Sequence, residues 1–154
     1  RRPMQEYPEH TNRFTGEPSY FRHIISATEK ILKQTGLSKS DFNHVVFHQP
    51  NGKFPRIAAK KLGFSFSQVE TGLVADYIGN TYSASSMLGL VSVLDCAGPN
   101  EKILLVSYGS GSGSDAFVFT TTDYLATIKK KAPSLREYID RKKYISYKES
   151  VRCV

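Results

Sequence analysis

The chain has no tryptophan and only two cysteines among its 154 residues. Cys96 and Cys153 fit neither a zinc-ligand spacing nor a disulfide framework. A reducing, cytoplasmic setting is therefore the simplest expectation. No apolar run approaches the roughly 20 residues of a membrane-spanning helix, so no membrane association is expected. The opening residues, Arg1-Arg2-Pro3-Met4-Gln5-Glu6, lack the apolar stretch of a secretory leader. They also lack an initiator methionine, which fits a fragment, a processed chain or one half of a larger protein. The four histidines are scattered, with no carboxylate pair beside them, so no metal cage is expected. The glycine spacing of a Walker phosphate loop is absent as well, and there is no internal repeat.

What is present suffices for one domain. Hydrophobic residues make up 40% of the chain, which excludes a disordered polypeptide. The net charge of +7 is unevenly placed: from Lys129 to Val154 there are nine Lys and Arg against three Asp and Glu, so this stretch carries six of the seven net charges. Such a tail serves as a solvated face, or it binds nucleic acid or an acidic partner. No nucleic-acid-binding signature accompanies it, and that role ranks last.

The pattern along the chain divides it into a leading loop (1–17), a domain (18–128) and a basic tail (129–154). Pro18 opens a helix whose Phe21, Ile24, Ile25, Thr28, Ile31 and Leu32 share one face, and Gly36 ends it. Ser38-Lys39-Ser40-Asp41 has the form of a helix-start box. A short apolar strand, Val45-Val46-Phe47, then delivers His48 into a turn, Gln49-Pro50-Asn51-Gly52. Pro55 suits the first turn of a second helix through Ile57, Ala58 and Leu62, ended by Gly63. The stretch from Val69 to Ile78 is ambiguous and has room for a strand. From Thr81 to Ala97 the chain is apolar or small nearly all round, which predicts a central helix buried on several sides, with Cys96 in the core. Ile103–Val106 and Ala116–Thr122, joined by a Gly-Ser loop, read as an antiparallel hairpin. The sum is an α/β layered domain with a mixed sheet.

The chemistry centres on His48. His10, His23 and His44 fit surface or capping roles. His48 ends a strand, and in open α/β sheets functional groups gather at the carboxyl ends of strands. Taken alone it fits both a structural histidine and a catalytic base. Lys53 and Arg56 flank a helix start, where free backbone N–H groups favour anions; they fit a phosphate site or two solvated cations. The Asn80 amide could donate to an oxyanion or could cap the following helix. The Gly109–Ser114 run could present N–H groups to a substrate or could simply turn the hairpin. There is no convincing nucleophile.

Four blocks together, "RFTGEPSYF", "VVFHQPNGKFP", "GNTYSASSMLGLVSVLD" and "LLVSYGSGSGSDAF", resemble the carboxyl-terminal half of archaeal-type hydroxymethylglutaryl-CoA (HMG-CoA) synthase. The likeness extends over nearly the whole chain, including "LREYIDRKKYI". It implies a thiolase-like fold: two βαβαβαββ halves stacked in five layers, of which this chain would be the second. It implies condensation of acetyl-CoA with acetoacetyl-CoA on the mevalonate route to isoprenoids. The nucleophilic cysteine and acid/base glutamate would lie in the first half, which accounts for the absent nucleophile.

Carried over by motif, His48 is the catalytic histidine. Arg13, Lys53 and Arg56 would contact coenzyme A; the family often has its arginine one position after Arg56, where this chain has Ile57. Thr15, Asn80 and Ser110 would line the substrate pocket. No permanently bound cofactor is implied, only coenzyme A thioesters as substrates. The implied partners are the missing half or a companion chain, further copies in a homo-oligomer, and a complex with acetoacetyl-CoA thiolase and a zinc-ribbon/OB-fold protein. The competing readings are a related thiolase-fold acyltransferase with another acyl substrate, and a non-catalytic assembly module.

Overall fold

The computed structural model describes residues 16–17, 19–109 and 113–151. Helix α1 (Ser19–Thr35) buries Tyr20, Phe21, Ile24 and Thr28 along one stripe. The Thr28 hydroxyl, fully buried, donates to the Ile24 carbonyl at 2.8 Å, so no polar group is left unmatched there. The helix-start box after it closes only a single 3₁₀ turn, Lys39–Asp41, because Phe42 turns to extended backbone and leads into a strand.

That strand, β1 (His44–Phe47), pairs parallel with β2 (Lys102–Val106), which pairs antiparallel with β3 (Ala116–Thr120). The period of two assigns the two faces. Val45, Phe47, Leu104 and Val106 pack with Tyr20, Phe21 and Ile24 of α1 and with Ala58, Ala59 and Leu62 of α2 (Lys53–Leu62). Val46, Ile103 and Leu105 face the other way, onto Leu90 and Val93 of α5 (Ala84–Cys96). A sheet covered on both faces explains why β1 and β2 read as unbroken apolar runs. Helix α2 ends as its sequence predicts: Gly63 takes the left-handed conformation, φ 78°, that a side chain would disfavour.

Two expectations are corrected. The stretch from Val69 to Ile78 holds no strand; it runs through α3 (Phe66–Val69), a 3₁₀ turn (Glu70–Gly72) and α4 (Ala75–Ile78). The reason is a partner distant in the chain. The N–H groups of Val74 and Ala75 both donate to the Gln49 side-chain oxygen at 2.9 Å, which a sheet ladder would forbid. Three strands are therefore present among the described residues, fewer than a full βαβαβαββ half contains. The second correction concerns α5. Its inner face (Ser85, Ser86, Gly89, Leu90, Val93) is buried, but Met87, Val91 and Cys96 are exposed. Cys96 is not a core residue, because among the described residues only one sheet covers the helix.

The inner contact of α5 depends on Gly89. A Cβ there would lie 2.7 Å from a Val46 methyl and 2.9 Å from the Gly72 carbonyl. Beyond the hairpin, α6 (Leu125–Lys129), α7 (Leu135–Asp140) and α8 (Tyr147–Ser150) carry the basic segment. Asp95 of α5 accepts the Leu135 N–H at 2.7 Å, and Ile139 of α7 is buried. No helix among the described residues is long and apolar enough to cross a membrane.

The exposed apolar face of α5 adjoins a sheet face that also shows Phe117 and Phe119, stacked 6.2 Å apart on edge strand β3. Contiguous apolar surface of this kind drives association. The isolated chain should therefore self-associate in sedimentation velocity, and the double change Met87→Glu, Val91→Glu should shift it toward monomer. A concentrated, monodisperse monomer of the unaltered chain would contradict this.

Candidate active site

β1 hands its last hydrogen bond to His48, whose N–H donates to the Val106 carbonyl at 2.9 Å. This holds the residue at the carboxyl end of the parallel pair, with 6% of its surface exposed. Its carbonyl accepts from the Tyr20 hydroxyl at 2.6 Å. The next N–H, that of Gln49, donates to Ser85 Oγ at 2.9 Å. The His48 ring lies 5.7 Å from the ring of Tyr108, which in turn meets Tyr20 edge-on at 5.4 Å. Among the described residues the imidazole forms no hydrogen bond of its own.

Gln49 is the polar centre beneath this histidine. It is almost completely buried, yet satisfied. Its amide donates to the Gly72 carbonyl at 2.5 Å, and its oxygen takes the Val74 and Ala75 N–H groups. Tyr108 also lines a cavity of about 410 Å³ whose walls include Ser83, Ser86, Ser107, Ser114 and Asp115. Ser114 Oγ is buried there with no hydrogen-bond partner among the described residues. A small polar cavity that shares its Tyr108 wall with a desolvated imidazole suits an acyl group with a carbonyl to bind.

Burial holds the His48 imidazole below the ordinary histidine range. At neutral pH the ring is uncharged, able to donate from one nitrogen and accept at the other. The sign for stability follows. The unfolded chain takes up its proton near 6.5 and the folded chain only at lower pH, so stability from this group is complete above 6.5 and is lost as pH falls below it. The stability gap between the unaltered chain and His48→Gln, measured by urea unfolding, should shrink from pH 7 to pH 5.5. A gap independent of pH would contradict a desolvated ring.

The other candidate residues are not all brought to this place. Lys53 is exposed at the first position of α2. The helix start is not an open anion site, since Asn51 Oδ1 accepts the Lys53 and Phe54 N–H groups at 2.9 and 3.0 Å. Arg56 is engaged: it pairs with Asp76 at 2.7 Å, donates to the Gly52 carbonyl and lies over the Phe66 ring. Asn80 is exposed; its oxygen accepts the Tyr82 N–H at 2.8 Å, which shapes the turn before α5 without capping it. His44 is not a surface histidine. It is largely buried at the opposite end of β1, 2.9 Å from Glu101. Arg13, Thr15 and Ser110 lie outside the described residues, as do His10 and Cys153. No group of three or more His, Cys, Asp or Glu among the described residues could hold a metal ion.

Sequence reasoning passed over Tyr20, Gln49, Ser85 and Tyr108. Tyr20, Ile24 and Thr28 form an i, i+4 row, which was a usable signal for an inward tyrosine. Ser85 was read as one of a stripe of small packing residues.

Helices packed on both faces of a mixed three-stranded sheet give this unit a thiolase-like fold. Residues 32–121 match the carboxyl-terminal domain of 3-oxoacyl-[acyl-carrier-protein] synthase III, and the chain belongs to this family. An HMG-CoA synthase of Methanopyrus kandleri is 52% identical over 149 residues, covering 97% of this chain and 43% of the relative. One from Archaeoglobus fulgidus is also 52% identical, over 147 residues, 96% of this chain and 43% of the relative. The solved HMG-CoA synthase of Bacillus subtilis superposes with a TM-score of 0.71 at 19% identity, over 85% of this chain and 38% of that one; it shares the fold. The chain thus spans less than half the length of these relatives and corresponds to a carboxyl-terminal half.

Proposed function

We propose that this chain is the histidine-bearing half of an HMG-CoA synthase. The observation that carries the reading is His48: a neutral, desolvated imidazole packed against Tyr108, which is itself a wall of a small polar cavity, in a chain half-identical to the archaeal synthases along almost its whole length. In this reading a cysteine of the other half holds the acetyl group as a thioester. A glutamate removes a proton from its methyl carbon, and the resulting carbanion attacks the ketone carbon of acetoacetyl-CoA. His48 holds that ketone oxygen and stabilises the alkoxide, which takes up a proton. Water then cleaves the enzyme thioester, releasing HMG-CoA and regenerating the thiol. A neutral histidine suits this role because it donates a hydrogen bond without a standing charge.

Lys53, exposed at the start of α2, is the coenzyme A contact this reading favours, together with Arg13. Thr15, Asn80 and Ser110 complete the acyl pocket. Arg56 contributes by bracing α2 through Asp76, and reaches coenzyme A only if that pair opens. The substrates are coenzyme A thioesters, with no resident cofactor. The partners are a cysteine-bearing half, further copies of the enzyme, and an acetoacetyl-CoA thiolase joined through a zinc-ribbon/OB-fold protein. The setting is cytoplasmic.

The test is binding of acetoacetyl-CoA, by calorimetry, to this chain joined to the amino-terminal part of the Methanopyrus kandleri relative. Lys53→Ala should weaken it about tenfold, the loss of one charge-assisted phosphate contact. Unchanged affinity would remove Lys53 from the site. A second reading has support in the family match itself: an acyltransferase of the same fold acting on carrier-bound acyl groups. Preference for acetoacetyl carrier protein over acetoacetyl-CoA would favour it.

A further inference from the structure

Among the described residues the His48 imidazole has no hydrogen bond of its own, and its backbone carries the bonds instead. The peptide that joins His48 to Gln49 is held at both of its polar atoms. Its carbonyl accepts from Tyr20 Oη at 2.6 Å and its N–H donates to Ser85 Oγ at 2.9 Å. The two side chains come from opposite faces of the sheet, Tyr20 from α1 and Ser85 from α5. Ser85 Oγ donates onward to the Gln49 carbonyl at 3.1 Å, so the hydroxyl spans a whole residue.

All of these groups are buried, Tyr20 fully and Ser85 to within 2%. Burial also keeps the Tyr20 phenol protonated far above its usual range, so it is a donor at every working pH. A backbone amide in a strand or turn would ordinarily be satisfied by another backbone group. Here two long-range side chains do it at the one peptide that follows the histidine. The Cα–Cβ direction of His48 is set by the peptides on its two sides: this one, and the preceding one, whose His48 N–H is held by the Val106 carbonyl at 2.9 Å. The ring itself packs 5.7 Å from that of Tyr108.

We propose that Tyr20 and Ser85 are positioning residues for His48, clamping the His48–Gln49 peptide from both faces of the sheet so that the imidazole is held in place against Tyr108, a wall of the polar cavity. This rests on the catalytic reading of His48. A misplacement of about 1 Å in a reacting group costs up to about a hundredfold in rate.

The experiment uses the two-half enzyme with Tyr20→Phe, which keeps the ring and removes one oxygen, and with Ser85→Ala and Ser85→Thr. Each is assayed for kcat and KM, for urea stability, and for the His48 imidazole signals and their titration by NMR. Tyr20→Phe and Ser85→Ala should each lower kcat about tenfold or more, leave KM for acetoacetyl-CoA unchanged, and move the His48 signals. Ser85→Thr should restore both readouts. Folded variants with parental kcat and parental His48 signals would overturn the proposal, whatever their loss of stability, because a purely structural bond moves only the last. Should a variant fail to fold, the remaining one decides by the same readouts; if both fail, parental kcat and parental His48 signals in Ser85→Cys, which keeps the side-chain shape but offers only a weak hydrogen-bonding group, would overturn it. The NMR arm is independent of catalysis. If His48→Ala leaves activity intact, the catalytic reading falls, while shifted His48 signals in Tyr20→Phe would still report the clamp.

Discussion

Replacing His48 with alanine in the two-half enzyme should lower kcat for HMG-CoA formation by about 10² to 10⁴-fold, the usual worth of a positioned proton-handling or charge-stabilising side chain. The ring packs 5.7 Å from Tyr108, and no other ionisable side chain near it among the described residues is proposed to take over its role. Acetyl transfer to the cysteine should be less affected, since the histidine's role lies with the acceptor ketone. Burst labelling of the enzyme with acetyl-CoA, compared with steady-state turnover, separates the two. Parental turnover in His48→Ala would leave a non-catalytic assembly module as the better account.

The second large effect is on stability. Gln49→Ala should lower the unfolding free energy by about 3–5 kcal/mol. The amide satisfies three backbone groups that water does not reach: the Gly72 carbonyl and the Val74 and Ala75 N–H groups. Each buried group left unpaired costs about 1–3 kcal/mol. The vacated space adds a further penalty, because Gly89 and Val46 already approach closely and leave little room to collapse. Against a total of about 5–15 kcal/mol for a domain, that is a large fraction. Urea unfolding measures it. Gln49→Glu, which keeps the shape and the acceptor oxygen, should lie between the two. A loss under 1 kcal/mol in Gln49→Ala would mean that the 72–75 segment repacks without it.

These two residues show what the sequence made legible. The strands were readable because Val45–Phe47 and Ile103–Val106 are unbroken apolar runs between turn residues. Their two-faced burial is the physical cause of that pattern. His48 was readable by position alone, at the end of such a run. The 69–78 segment was not, since its backbone is organised by a glutamine more than twenty residues earlier. Local propensity carries no trace of such a partner. The clamp on His48 is equally non-local, with Tyr20 and Ser85 lying 28 and 36 residues from their backbone partners. Helix α5 was read correctly as apolar and packed through its small residues. Periodicity could not say how many of its sides are covered, and Cys96 was misplaced for that reason. At the phosphate end, the anion-binding helix start was a sound inference from charge and position. Asn51, two residues before Lys53, takes those N–H groups itself.

The central claim is that this chain completes an HMG-CoA synthase by supplying His48. The most direct measurement is HMG-CoA formation from acetyl-CoA and acetoacetyl-CoA by the chimera with the Methanopyrus kandleri amino-terminal part, with the unaltered relative as control. The account predicts turnover within about tenfold of the control, lowered by about 10² to 10⁴-fold by His48→Ala in a protein that still folds and still binds acetoacetyl-CoA. A folded chimera that binds acetoacetyl-CoA but forms no HMG-CoA, or one whose His48→Ala form turns over like its parent, would contradict it.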